Sequence, residues 1–207
     1  GRYAEAKPLY DRALAIYEKL GTDESVDAAL TMRNLSVIYN DQGNIALAME
    51  YGRRALRIYE HKYGKIHQEV AGALDTLGAV YMASSDFEQA RKLFQRGLDI
   101  RQTHYPSERD MIGTSLYALA AVCVEEEQYE EADKLYHEVL DIYENVYGAA
   151  HRETAVIYHD LAELAFEREQ YDQAQPRTAA SAVRMVVARS GGDLLQTRPV
   201  RRCRAAG

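Results

Sequence analysis

The chain has little of what marks several common protein classes. None of its 207 residues is tryptophan, and only two are cysteine. Two cysteines cannot build a disulfide framework, and unpaired thiols suit a reducing compartment, so we expect a cytoplasmic protein. No apolar run approaches the roughly 18 residues that a membrane span needs, and no signal peptide is visible. The sequence therefore indicates neither a disulfide-stapled secreted domain nor a membrane protein.

Motifs for catalysis and metal binding are also missing. The sequence contains no Gly-rich phosphate loop, no Gly-x-Ser-x-Gly turn, no paired-carboxylate arrangement, no Cys-x₂-Cys pair and no His-Glu-x₂-His motif. His159 and Glu163 are one helical turn apart, as two metal ligands can be, but neither belongs to a metal-binding motif. His67 and His151 share a repeat register and are typical of residues that start a helix. We therefore predict no enzymatic activity, no catalytic residue, no cofactor and no metal ion.

Charge is divided unevenly along the chain. The net charge is −7, yet residues 177–207 contain seven arginines and one aspartate, so the preceding residues carry −13. Binding to nucleic acid or to an anionic membrane needs clustered Lys and Arg, so neither is expected as a partner of the acidic body. A basic or amphipathic peptide is favoured instead.

One pattern repeats along the chain at a constant offset of 42 residues. One register holds Leu35, Leu77, Leu119 and Leu161, and a second holds Ala6, Ala48, Ala90, Ala132 and Ala174. A long fixed period indicates a stack of similar units, each of which buries its apolar face against its neighbours. Such stacks form open grooves for other polypeptides more often than closed catalytic pockets.

Each unit is predicted to be an antiparallel helical hairpin. Met32, Leu35, Ser36 and Tyr39 have the i, i+3, i+4, i+7 spacing of one helix face, and Gly43 marks the turn to a second helix. The chain begins at Gly1, in the register of Gly43, so we expect it to be a piece of a longer protein. Extending the pattern predicts nine helices, at about 2–20, 25–41, 44–62, 67–83, 86–104, 109–125, 128–146, 151–167 and 170–188.

Small residues recur where the two helices of a hairpin should pack. Ser36, Gly78, Ala120 and Ala162 share one register, and Ala29, Ala71, Gly113 and Ala155 share another. We expect these positions to let the two backbones approach closely.

Two regions are expected. Residues 1–176 form the repeat array, with a half unit followed by four units. The registers fail after Ala174, so residues 177–207 are predicted to form a divergent terminal helix and an Arg-rich disordered tail.

Specific residues resemble the tetratricopeptide repeat. Residues 74–94 read Leu-x₂-Leu-Gly-x₂-Tyr followed by Ala-x₃-Phe, as in that family's signature. HEAT and armadillo repeats do not show this order, and WD40 blades would need Trp-Asp pairs. Ile58-Tyr59-Glu60 followed by Gly64-x₂-His67 resembles the 42-residue variant of kinesin light chains. The resemblance implies an all-α fold, a right-handed superhelical α-solenoid of stacked antiparallel helix pairs, whose first helices line a concave groove.

Two rows of residues on the first helices are the main candidates for binding a peptide. One row is Arg33, Asp75, Tyr117 and His159. Its chemistry changes while the core registers stay constant, so packing is not expected to dictate it, which leaves ligand selection or tolerance of solvent. The other row is Asn40, Met82, Val124 and Phe166. Its last three residues would place apolar groups along the groove, or would contact the neighbouring unit. The resemblance adds Asn34, since an asparagine there helps to hold peptide backbones in the family.

The leading interpretation is a protein-interaction scaffold that binds a peptide or partner protein in this groove. We expect Met82, Tyr117 and Phe166 to act as anchors. A kinesin-light-chain-like cargo adaptor is one form of this function. The alternatives are a structural spacer, an array that self-associates through its exposed ends, and a regulatory repeat domain of a larger signalling protein.

Overall fold

The computed structural model of the chain describes residues 3–174, with side-chain surroundings for residues 5–169. Every regular element in this range is an α-helix: α1 Tyr3–Leu20, α2 Val26–Asp41, α3 Ile45–Tyr63, α4 Gln68–Ala83, α5 Phe87–His104, α6 Arg109–Glu125, α7 Tyr129–Tyr147 and α8 Arg152–Ala174. The predicted all-α repeat fold is thus confirmed. The proposed tail at 177–207 and most of the ninth helix lie outside the described residues.

The chain divides into two compact units, Gly1–Leu164 and Ala165–Gly207. The first contains three complete hairpins, α2–α3, α4–α5 and α6–α7, preceded by α1. Of the second, the structure describes only the C-terminal part of α8. No described helix combines the length and apolar character that crossing a bilayer requires.

The three hairpin turns share one backbone geometry. After α2, Gly43 adopts φ +74°, and the Asn44 side chain caps α3 by accepting a hydrogen bond from the Leu47 amide. Ser85 and Glu127 hold the same register with φ values of 59° and 58°. This left-handed region is easy for glycine and costs other residues about 1–2 kcal/mol. Packing of the hairpins must offset that cost in the second and third units.

The predicted fourth turn, between helices at 151–167 and 170–188, is wrong. α8 continues without a break through Glu169, the register of Gly43, to Ala174. This register offers no glycine, and the position after it offers no asparagine or aspartate cap. Because the apolar registers also fail after Ala174, a second helix would gain little packing energy to offset the cost of a turn.

Small residues at the hairpin contacts confirm the expected close approach. A Cβ added to Gly78 would lie 2.6 Å from the Phe94 ring, and one added to Gly113 would lie 2.5 Å from the Tyr143 ring. Ser36, in the register of Gly78, is fully buried and donates a hydrogen bond of 2.7 Å to a carbonyl oxygen of α3. In these three hairpins a larger side chain would force the helices apart.

The fourth unit does not follow that expectation. Ala155 and Ala162 continue the two small-residue registers, yet both are exposed. Within the described residues no second helix packs against this face of α8.

Aromatic stacking explains the repeated Tyr-Gly-x₂-His motif between hairpins. Tyr63 stacks on His67 with ring centroids 4.1 Å apart, and Nδ1 of His67 accepts the Glu69 amide at the start of α4. Tyr147 and His151 repeat the stacking before α8, at 4.7 Å. The two histidines are therefore helix caps, as their shared register predicts.

Candidate functional site

The first helices of the hairpins form the inner face of the Gly1–Leu164 unit. α2 contacts α4 and α4 contacts α6, whereas the second helices among the described residues do not contact one another to the same extent. A stack in which one layer of helices is closer together curves toward that layer. The face formed by α2, α4 and α6, hereafter the first-helix face, is therefore the concave one.

The row that contains Arg33 was expected to be independent of packing, but contacts within the array account for the arginine at this position. Its guanidinium donates to Glu69 of α4 at 2.9 Å and lies over the Tyr59 ring at 5.8 Å. A Cβ added to Gly72 would lie 3.1 Å from Arg33 Nη1, so the guanidinium rests on the α4 backbone. Arg33 is thus held by neighbours within the array.

Asp75 is likewise committed to an internal partner. Its Oδ2 accepts a hydrogen bond of 2.6 Å from Arg101 of α5, whose side chain is only 3% exposed. Arg101 also donates to Ser115 of α6 at 2.5 Å, so the network joins two hairpins. Burial raises the pKa of Asp75, and the Arg101 guanidinium offsets only part of that effect.

Two buried atoms of this network have no hydrogen-bond partner, namely Asp75 Oδ1 and Arg101 Nε. The carboxylate lies against Gly97, where an added Cβ would be 2.8 Å from Oδ1. Sequence reasoning missed Arg101 and Ser115. The signal was present, because Arg101 interrupts a register that otherwise reads Tyr17, Tyr59 and Tyr143.

Tyr117 and His159 complete this row. The Tyr117 ring packs against Tyr136 with centroids 5.8 Å apart, and burial followed by the nearby Asp160 carboxylate raises the pKa of Tyr117. His159 is 67% exposed, with Nδ1 3.3 Å from Asp160 and Nε2 3.7 Å from Glu163. His159, Asp160 and Glu163 place their ligand atoms within 4.8 Å of one another, and two of the three residues are exposed.

The remaining candidates differ in exposure. Asn34 is half-buried and donates from Nδ2 to the Tyr10 hydroxyl at 3.2 Å, and Asn40 has a buried Oδ1 without a partner. Met82 and Val124 are half-buried and pack against the core cluster of α5–α8, so contact with neighbouring helices accounts for much of their surface. Phe166 belongs to the second unit and is 65% exposed.

The middle of the first-helix face carries no charge. Leu30 and Val37 of α2 each expose 41% of their surface, and small residues fill the corresponding positions of α4 and α6. Four registers beside the row of Arg33, Asp75 and Tyr117 supply twelve positions on α2, α4 and α6, and none of the twelve residues is charged. The twelve are Leu30, Asn34, Val37, Asn40, Gly72, Thr76, Ala79, Met82, Thr114, Ala118, Ala121 and Val124.

These features define a class, the helical-hairpin repeat scaffold with a curved inner face. Models of the tetratricopeptide repeat match residues 1–61, 70–108 and 111–177. The chain therefore belongs to the tetratricopeptide repeat family, which is in general a non-catalytic, protein-interaction fold. No curated protein matches the chain.

Solved structures share the fold at low sequence identity. BtubC (BKLC) from P. vanneervenii matches with a TM-score of 0.69 and 17% identity, over all of this chain and 80% of that one. The nearly identical TPR-like repeats of a Podosopora anserina protein assigned as a kinesin light chain match with 0.67 and 20%, over 95% and 90%. A Rap protein complexed with Competence and Sporulation Factor matches with 0.63 and 17%, over 94% of this chain and 53% of its own. The array is thus similar to kinesin-light-chain-like repeats.

Proposed function

We propose that the first-helix face binds a segment of a partner protein, and that the chain acts as an adaptor in the cytoplasm. The observation that carries this proposal is the exposure of Leu30 and Val37 on the inner side of a curved array, where apolar surface is costly unless it is covered. A scaffold of this fold in complex with a second molecule, the Rap protein with Competence and Sporulation Factor, supports it.

The predicted groove residues take different parts in this proposal. Tyr117 presents part of an aromatic ring beside the uncharged middle of the face and is the best-placed anchor. Arg33 and Asp75 are tied to internal partners, so they shape the edge of the face rather than recognise a ligand. His159 and Phe166 remain exposed candidates on α8.

The proposal is tested by selecting displayed random peptides of about twelve residues on the immobilised array. Selected peptides are then measured against Val37→Glu and Ala79→Glu, which place a carboxylate on exposed positions of the face. Val146→Glu is the matched control, because Val146 of α7 is 42% exposed and lies on a second helix. We expect both face variants to weaken binding by about tenfold or more, and the control to leave it unchanged. Binding that ignores both face variants would refute the proposal.

Self-association is a second candidate, favoured by α1. Leu9 and Leu20 are 69% and 68% exposed, and Ile16 is 47% exposed although Ile58 and Ile100 in its register are buried. Light scattering across a concentration series distinguishes this function, since α1-mediated association would raise the mean mass and Leu9→Glu would abolish the rise. A constant monomer mass would exclude it.

A further inference from the structure

The charges of the chain are segregated away from the surface that is proposed to bind. The Gly1–Leu164 unit is acidic overall, yet the middle of the first-helix face has no acidic or basic side chain on α2, α4 or α6. The acidic residue nearest to it is Asp75, which is bound to Arg101, and the other acidic residues of these helices stand toward the helix ends, as Asp27, Asp41 and Glu125 do. The net charge of the body therefore does not describe this face.

The two charged residues that border the middle are already paired. Arg33 is bound to Glu69 at 2.9 Å and Asp75 to Arg101 at 2.6 Å. A charged ligand would have to compete with these internal partners and would find no free counter-charge in the middle of the face. Desolvating a ligand charge without a partner is strongly unfavourable, so the face selects against charge.

The same positions suit an apolar contact. On α4 the exposed and half-buried residues in the middle of the face are Gly72, Thr76, Ala79 and Met82, a low floor that brings a ligand close to the helix. Leu30 and Val37 of α2 rise on one side of it, each 41% exposed, and Tyr117 of α6 rises on the other. Apolar side chains of a ligand would cover these walls and remove apolar surface from water, which favours binding.

We propose that the partner segment presents an uncharged, apolar surface to the first-helix face, as an amphipathic peptide does, and that basic residues do not drive its binding. This inference rests on the proposed function and specifies its ligand. Neighbouring helices pack about 8–10 Å apart, so the path from α2 to α6 is about 16–20 Å. About five or six extended residues span that distance. Of the two peptide classes that the acidic composition favours, basic and amphipathic, the amphipathic one fits the surface.

The test uses the displayed peptides at two salt concentrations, about 0.05 M and about 0.5 M, because salt screens charge pairs but not apolar contacts. We expect selected sequences enriched in Leu, Ile, Phe and Ala, with affinities that change less than about threefold between the two salts. They should lose affinity with Ala79→Glu and keep it with Val146→Glu.

The outcomes separate the inference from the proposed function. Peptides that are rich in Lys and Arg, weaken at high salt and still require Ala79 would overturn the inference while leaving the first-helix face as the binding site. Peptides that bind equally to wild type and to Ala79→Glu, or a selection with no enrichment over bare support, would overturn both.

Discussion

The ion pair between Asp75 and Arg101 allows the sharpest prediction about the fold. Replacing Arg101 with Met keeps the length and apolar stem of the side chain and removes its charge. Asp75 would then be left largely buried without its counter-ion, and Ser115 would lose its donor. Breaking a buried pair on one side costs about 3–5 kcal/mol. We expect Arg101→Met to lower the free energy of unfolding by about 3 kcal/mol, the lower end of that range, because the Asp75 side chain is still 23% exposed and water can reach part of it.

The destabilisation caused by Arg101→Met should become smaller as pH falls. Burial already raises the pKa of Asp75 in the wild type, and removing Arg101 would raise it further. A carboxyl whose pKa is higher in the folded state binds protons more strongly there than in the unfolded chain, so folding becomes more favourable as pH drops toward that value. Between neutral pH and about pH 4, the contribution of Asp75 to the free energy of unfolding therefore increases more in the variant than in the wild type.

Urea unfolding followed by circular dichroism measures both effects. The double variant Asp75→Leu with Arg101→Met should recover most of the loss, because it removes both charges together. Arg57→Met is the matched control, since the Arg57–Glu24 pair is 66% and 69% exposed and should be worth less than about 1 kcal/mol. If Arg101→Met and Arg57→Met destabilise equally, or the loss grows at low pH, the reasoning about the buried pair is refuted.

Three further predictions concern the backbone and the caps. Ser85→Gly and Glu127→Gly relieve left-handed φ values and should each stabilise the array by about 0.5–1 kcal/mol in urea unfolding; destabilisation would contradict this. Gly97→Ala places a Cβ 2.8 Å from Asp75 Oδ1 and should cost about 1–3 kcal/mol, and the cost should fall when Asp75 is also replaced by Ala; an unchanged cost would show another cause. His67→Ala removes an acceptor at the start of α4 and should cost about 1 kcal/mol, with faster amide exchange in the first turn; unaltered exchange would deny the cap its role.

Periodicity was sufficient to predict the hairpins of the first three full units. Leu35 and Leu119 share a register and are both buried, and the turn geometry at Gly43 recurs at Ser85. A repeated register constrains the core because each unit must present the same apolar face to its neighbours. The turn of the fourth unit was predicted wrongly. The repeat period places a turn at Glu169, but this position has neither the turn residue nor the packing that would end a helix, and α8 continues through it.

The candidate site was predicted less well, because side-chain pairing is not periodic. The variation from Arg33 to Asp75 to Tyr117 suggests freedom from packing, whereas Arg33 lies over Tyr59 and Asp75 pairs with Arg101. Tyr59 and Arg101 occupy one register of the second helices, so the partner varies together with the residue it contacts. The indication in the sequence is Arg101, because the other residues of its register, Tyr17, Tyr59 and Tyr143, are all tyrosines. Reading two registers together, rather than one at a time, would have indicated the internal pairs.

Amide hydrogen exchange with a selected peptide bound tests most directly whether the first-helix face is the binding surface. We expect slower exchange along α4, from Gly72 to Ala83, and on the facing parts of α2 and α6, with no change in α5 or α7. The same measurement on Ala79→Glu should show no protection. Protection confined to the second helices, or present equally in the variant, would contradict the account.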